Sequence, residues 1–306
     1  MKSFKKLALV VMTTAVLASC GTSQTVPLTG RTHRISVSDE QVLSLSNKEY
    51  QSYMASAKKS TDATNTAMVK KVGQKLATAV EAYLKQNGFE SDLKNYSWEF
   101  NLVQDNSANA FCMPGGKIVV YEGLLPYTQN ETCLAIVLGH EIAHAVAKHS
   151  AEQLTKQQNQ KIGTNILGNV LNQAVGSGVG DVASAVAGQY FSFRNLKYSR
   201  DNETEADYMG LIFAAMAGYD PQQAIPFWKR MSQGSSSNKS DIFSDHPSDA
   251  KRIAALEKAM PTALQYYKPA KSTVTTSATK KATTSTGKKT TSSVKKSTSS
   301  KKTIRK

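Results

Sequence analysis

A chain of 306 residues can hold one or two domains with a sizeable core, and 40% hydrophobic with 20% charged residues describes a globular protein rather than a disordered or fibrous one. The formal net charge of +15 invites a nucleic-acid reading, but its placement argues against one. Lys268–Lys306 carries 12 Lys and Arg without an acid and Met1–Ser19 carries three, which leaves 23 of the 38 basic residues against all 23 acidic ones in residues 20–267. The body is neutral, so no basic groove and no nucleic-acid partner is expected.

Lys2, Lys5 and Lys6 precede an apolar run, Leu7–Val16, that is too short to span a bilayer comfortably and is followed by small residues. This is the pattern of an export signal over residues 1–19. Leu17-Ala18-Ser19-Cys20 resembles the bacterial lipobox, which implies lipid on Cys20 and membrane attachment through it. Gly21-Thr22-Ser23 follows with no Asp, so the expected address is a bacterial cell envelope, on the periplasmic face of the outer membrane. Residues 20–37, with Pro27 and Gly30, read as a lipid-anchored tether. Cys112 and Cys133 remain, and a disulfide and two buried thiols are both open.

A domain is expected over residues 38–267. Ser38 with Gln41 forms a capping box for a helix to about Met54. Asn65–Gln86 has apolar residues at helical spacing and is stopped by Asn87-Gly88. Trp98–Val103 alternates like a strand, Asn109–Met113 reads as a second, and Lys117–Tyr121 returns from the Pro114-Gly115-Gly116 turn. A helix is expected from about Asn130 to His149. Ala151–Asn195 is partly helical but Gly-rich and reads as a mobile flap or lid. Helices follow at Tyr198–Ala217, after Asp220-Pro221, and at Pro247–Met260, where Pro261 should stop the last one; Gln233–Asp245 is a polar loop. Residues 268–306, rich in Lys, Thr and Ser, lack the means to bury a core and read as a disordered tail.

The sharpest chemical signal is His140-Glu141-Ile142-Ala143-His144. On a helix, residues four apart lie one above the other, so both imidazoles reach one ion while Glu141 projects beside them towards a water. The motif sits among Leu134, Ile136, Val137, Leu138 and Val146, where unpaired imidazoles would be costly and a metal resolves the cost. His149 lies five residues past His144, about 140° further round a continuous helix, and is poorly aimed at the same ion. Zinc needs a third protein ligand. Glu203 and Asp207 share a face of the next helix; one can ligate while the other accepts the N–H of a ligating imidazole, and spacing leaves open which does which.

At this point the chain resembles the HtpX/CAAX-protease family of zinc peptidases (metallopeptidase family 48, gluzincin clan), over about residues 35–260. The likeness rests on His140-Glu141-x-x-His144 with Glu203-x-x-Ala206-Asp207. Asn109-Ala110-Phe111 followed by Pro114-Gly115-Gly116-Lys117-Ile118 is similar to the family's substrate strand, and His246-Pro247 with Arg252 to its C-terminal motif. Lacking the membrane spans of some members, the chain looks like the soluble periplasmic lipoprotein branch. The resemblance implies an α+β, mainly helical, minigluzincin-like zinc-peptidase domain whose small β-sheet carries an edge strand beside the active-site helix. It implies one zinc ion on His140, His144 and Glu203, Glu141 as general base, Asp207 as partner of a ligating imidazole, and His246 and Arg252 as catalytic-site residues.

The activity so implied is a zinc metalloendopeptidase that cleaves unfolded or misfolded proteins pairing with an exposed strand at Asn109, Ala110 and Phe111, in envelope protein quality control. The alternative is a non-catalytic chaperone or assembly factor for outer-membrane proteins. His246 reads either as an oxyanion-stabilising or zinc-blocking group, or as a loop residue before Pro247. The basic tail is a solvated spacer or a contact for anionic envelope components.

Overall fold

The computed structural model describes residues 21–160, 192–194, 196–234 and 250–268. The signal segment with Cys20, the greater part of the expected lid, most of the polar loop, His246 and the basic tail lie outside the described residues.

Thr22–Thr25 (β1) and Thr32–Ile35 (β2) pair antiparallel, Thr22 opposite Ile35. The segment expected to be a tether is therefore a hairpin. Pro27 and Gly30 serve its turn, which Val26 closes by donating its N–H to Arg31 O at 2.8 Å. His33 and Ile35 alternate inward along β2, and Val26 and Val37 are buried with them; two four-residue strands give too short a pattern to stand out in the sequence.

Asp39–Ser56 (α1) begins at the expected capping box of Ser38 and Gln41. Ala63–Gln86 (α2) is capped by Asp62 and buries Val69, Val72, Leu76, Val80 and Leu84 at three- and four-residue spacing. Glu99–Val103 (β3), Ala110–Met113 (β4) and Lys117–Tyr121 (β5) form a sheet in the order β3-β5-β4, with β5 parallel to β3 and antiparallel to β4. The apolar run Ile118-Val119-Val120 takes the centre, buried on both faces. The β4–β5 turn places both Gly115 (φ 90°) and Gly116 (φ 80°) in the left-handed region.

Glu131–Val146 (α3), capped by Asn130, buries 13 of its 16 residues, so it is the central helix. It stops three residues short of the expected end. Lys148 adopts φ 54°, and a new helix, α4, runs over residues 149–160. The break is held by the Lys148 ammonium, 2.9 Å from Asp39 Oδ2 and 3.4 Å from Asp92 Oδ1, ties between distant segments that local sequence does not display.

Arg200–Met216 (α5) starts at a Ser199/Asn202 capping box. Ala224–Gly234 (α6) follows a single 3-10 turn capped by Asp220. Ala250–Tyr266 (α7) continues through Pro261, which was expected to stop it. Pro forfeits one helical hydrogen bond, but Ala263 beyond it is fully buried and α7 packs along α5, so tertiary contact carries the helix another turn. Cys112 and Cys133 are both buried free thiols, which closes the disulfide question. Among the described residues, no helix is long and apolar enough to cross a membrane.

Candidate metal centre

The site depends on how closely α3 and α5 approach. They cross at Gly139 and Gly210, backbone against backbone: a Cβ on Gly139 would lie 2.6 Å from Gly210 O, and one on Gly210 would lie 2.5 Å from His140 N. Neither helix tolerates a side chain there. Glu203, Ala206, Asp207 and Gly210 share the facing side of α5 at helical spacing, so the crossing delivers both carboxylates to the two imidazoles.

Each imidazole has its polar atoms assigned by its neighbours. Asp207 accepts, so His140 Nδ1 carries a proton and donates to Asp207 Oδ1 at 2.9 Å. Its other nitrogen, Nε2, lies 3.1 Å from His144 Nε2 and 3.4 Å from Glu203 Oε2, while His144 Nε2 is 3.5 Å from Glu203 Oε1. Among the described residues this is the one cluster of three or more His, Cys, Asp or Glu whose donor atoms converge as a metal needs, all within 4.8 Å of one another and all buried. Tetrahedral zinc with Zn–N of 2.0–2.1 Å sets neighbouring donors about 3.3 Å apart. The donor set fits that ion in spacing and chemistry.

The electrostatics agree. Burial and the Arg252 guanidinium oppose a charge on His140, yet the Asp207 and Glu203 carboxylates outweigh them and raise its pKa to about 9. The pocket therefore favours positive charge. Burial would lift Asp207, but Arg252 and His140 hold it below the usual carboxylate range.

Arg252 grips Asp207 with two bonds, Nε to Oδ2 at 2.6 Å and Nη2 to Oδ1 at 2.7 Å, and its guanidinium lies 3.6 Å from the centre of the Trp228 ring. It thus sits behind His140, on the Nδ1 side, and holds the carboxylate that bonds His140.

His149 was set aside because a continuous helix would aim it away. The break at Lys148 returns it to the site, where its Nδ1 lies 2.9 Å from His144 Nδ1. Its Nε2 donates to Glu205 Oε2 at 2.9 Å, and burial keeps its pKa below the usual histidine value. Neutral His149 then accepts at Nδ1 from His144 Nδ1–H, which leaves the lone pair of His144 on Nε2. Tyr198 stacks on His144 at 4.0 Å between centroids and shares a hydrogen bond with Ser150 at 2.9 Å.

Ala110, Phe111, Cys112 and Met113 are buried. The expected exposed strand is an edge strand packed on α3 with its side chains inside, because one face of β4 meets α3 and the other packs with Val37, Val42 and Tyr50. Asn109 O accepts from Tyr121 N–H, so in the antiparallel alternation the backbone groups of Ala110 and Cys112 point away from β5. Burial and the negative charge of Glu141 both raise the Cys112 thiol. The sequence reading set His149 aside and gave no role to Tyr198, Trp228, Glu205 or Arg31, although Tyr198 and Glu205 lie close to Glu203 in the chain.

The sequence model of Peptidase family M48 matches residues 64–260. The chain belongs to peptidase family M48. Within the family, it is 36% identical over 187 residues to the mitochondrial metalloendopeptidase OMA1 of Schizosaccharomyces pombe, covering 60% of this chain and 53% of that protein. The human mitochondrial OMA1 metalloendopeptidase is 28% identical over 249 residues, 78% of this chain and 46% of its own length. The Escherichia coli beta-barrel assembly-enhancing protease is 25% identical over 161 residues, 51% of this chain and 33% of its own. The chain thus spans about half the length of the first of these relatives and less of the other two. The names correct the expected location. Relatives of 28–38% identity are mitochondrial, so placement in a bacterial envelope does not stand. A basic, acid-free N terminus fits several targeting segments, which is why composition misleads here.

Proposed function

We propose that the chain is a zinc-dependent endopeptidase acting on unfolded or misfolded protein. The observation that carries this reading is the convergence of His140 Nε2, His144 Nε2 and Glu203, with Glu141 buried on the same helix between the two histidines. Family membership and the names of the relatives support it. A zinc ion on these three residues would polarise the scissile carbonyl and acidify water. Glu141 takes the proton from the attacking water and passes it to the leaving amine. Asp207, gripped by Arg252, fixes the His140 tautomer. The outward carbonyl of Ala110 and the outward backbone groups of Cys112 would pair with an extended substrate, the Ala110 N–H being already held by Asn109 Oδ1 at 2.8 Å; this mode is indifferent to side-chain sequence and suited to unfolded chains.

Casein cleavage by the full chain tests the reading. Cleavage should stop on chelation, return with added zinc, and be lost in Glu141→Gln by roughly 10²–10⁴-fold with zinc still bound. Undiminished cleavage by the chelated protein, or by zinc-loaded Glu141→Gln, overturns it.

A further inference from the structure

Residues 22–36 lie before the segment that matches the family, yet they reach its metal centre. Thr29 Oγ1 donates to Glu205 Oε1 at 2.6 Å and Arg31 Nε to Glu205 Oε2 at 2.8 Å. Arg31 Nη2 also donates to Glu152 Oε2 at 2.9 Å, which His33 Nδ1 approaches at 3.2 Å. Ser36 N–H donates to Thr155 Oγ1 at 3.0 Å. The hairpin is thereby tied to α4, which presents His149, and to α5, which presents Glu203.

We propose that the β1–β2 hairpin is a positioning element of the metal centre, acting through the unbroken line Arg31–Glu205–His149–His144. Each link is directional. The Glu205 oxygen held by Arg31 is the one that receives His149 Nε2–H. That bond leaves His149 Nδ1 as an acceptor facing His144 Nδ1, and the proton this demands on His144 turns its lone pair to the side where His140 and Glu203 converge. The inner links are sealed from water: the His149 and His144 side chains are 0% and 1% exposed, and that of Glu205 is 7% exposed. Arg31, at 33%, is the outer end, open enough to substitute without emptying the core. Glu205 and Glu203 are two residues apart and so lie on different sides of α5; the hairpin braces the helix from behind the ligand. His149 and Glu205 thus do for His144 what Asp207 and Arg252 do for His140, and the second support begins outside the peptidase segment.

The inference rests on the zinc site proposed above, and the experiment separates the two. Zinc dissociation constants of the full chain are measured by chelator competition, beside the melting temperature of the metal-free protein. His149→Leu should weaken zinc binding about 10–100-fold and Arg31→Gln about 10-fold, the lower end of that range. The double variant should be no weaker than His149→Leu, because both act along one line. His149→Gln, whose side-chain carbonyl again accepts, should recover part of the loss. If His149→Leu does not fold, Arg31→Gln carries the test alone. Lower metal-free stability in Arg31→Gln with unchanged zinc affinity, or additive losses in the double variant, overturns the inference and makes the hairpin a structural strap. Wild-type protein that binds no zinc overturns the zinc reading itself.

Discussion

Glu203 and Asp207 are one helical turn apart on the same face of α5, and their surroundings divide their work. Glu203 turns its oxygens to the two Nε2 atoms, whereas Asp207 is held by Arg252 and faces His140 Nδ1. Glu203→Ala should therefore empty the site under dialysis against metal-free buffer, while Asp207→Ala should weaken zinc about 10–100-fold and retain it at saturating metal. Metal analysis of both variants checks this; full zinc in dialysed Glu203→Ala would remove it from the ligand set. The His140/His144 pair is legible in sequence because a four-residue helical spacing is local. His149 is not, since its aim depends on the Lys148 backbone, which is set by two aspartates 109 and 56 residues away in sequence.

At the scale of elements, caps and periodicity announce most of the fold. Ser38/Gln41 starts α1 and Asn87-Gly88 ends α2 where expected, and the three central strands fall within a residue of their expected ends. Long-range packing hides the rest: Pro261 lies inside α7, and the tether is a hairpin. The helix crossing is also unannounced, because glycines inside helical patterns look like weak points. Gly210→Ala tests it. The added Cβ meets the His140 backbone, so the helices must part, with a loss of about 1–3 kcal/mol in stability, typical of overpacking. Zinc affinity should fall with it. Urea unfolding and chelator competition on one preparation read both, and an unaltered zinc affinity would show that the ligands do not need the close approach.

For the molecule as a whole, acid should loosen the attachment of the hairpin to the helices. Burial would raise Glu205, but bonds from His149, Arg31 and Thr29 lower its pKa to about 2; Glu152, bonded by His33, Arg31 and Lys156, is likewise held below its ordinary value of 4.5. A lowered folded pKa gives stability that is complete above the unfolded value and fades as pH falls through the folded one. The hairpin's attachment should thus be intact above about pH 4.5 and weaken towards pH 2. Amide exchange at residues 22–36, compared with that of α3 across this window, measures it. Protection of the hairpin that stays constant to pH 2 would show that apolar contacts through Val26, Ile35 and Val37 hold it without the carboxylates.

The Gly139–Gly210 contact has a consequence for anyone who would rebuild this centre elsewhere. Two backbones in touch act as a mechanical stop: the separation of the histidine pair from Glu203 is gauged by main-chain atoms, and side-chain repacking around the helices has little leverage on it. Copying His140, Glu141, His144 and Glu203 onto a scaffold whose helices stand at ordinary spacing would transfer the side chains without the gauge. The transferable unit is the pair of crossed helices with both glycines.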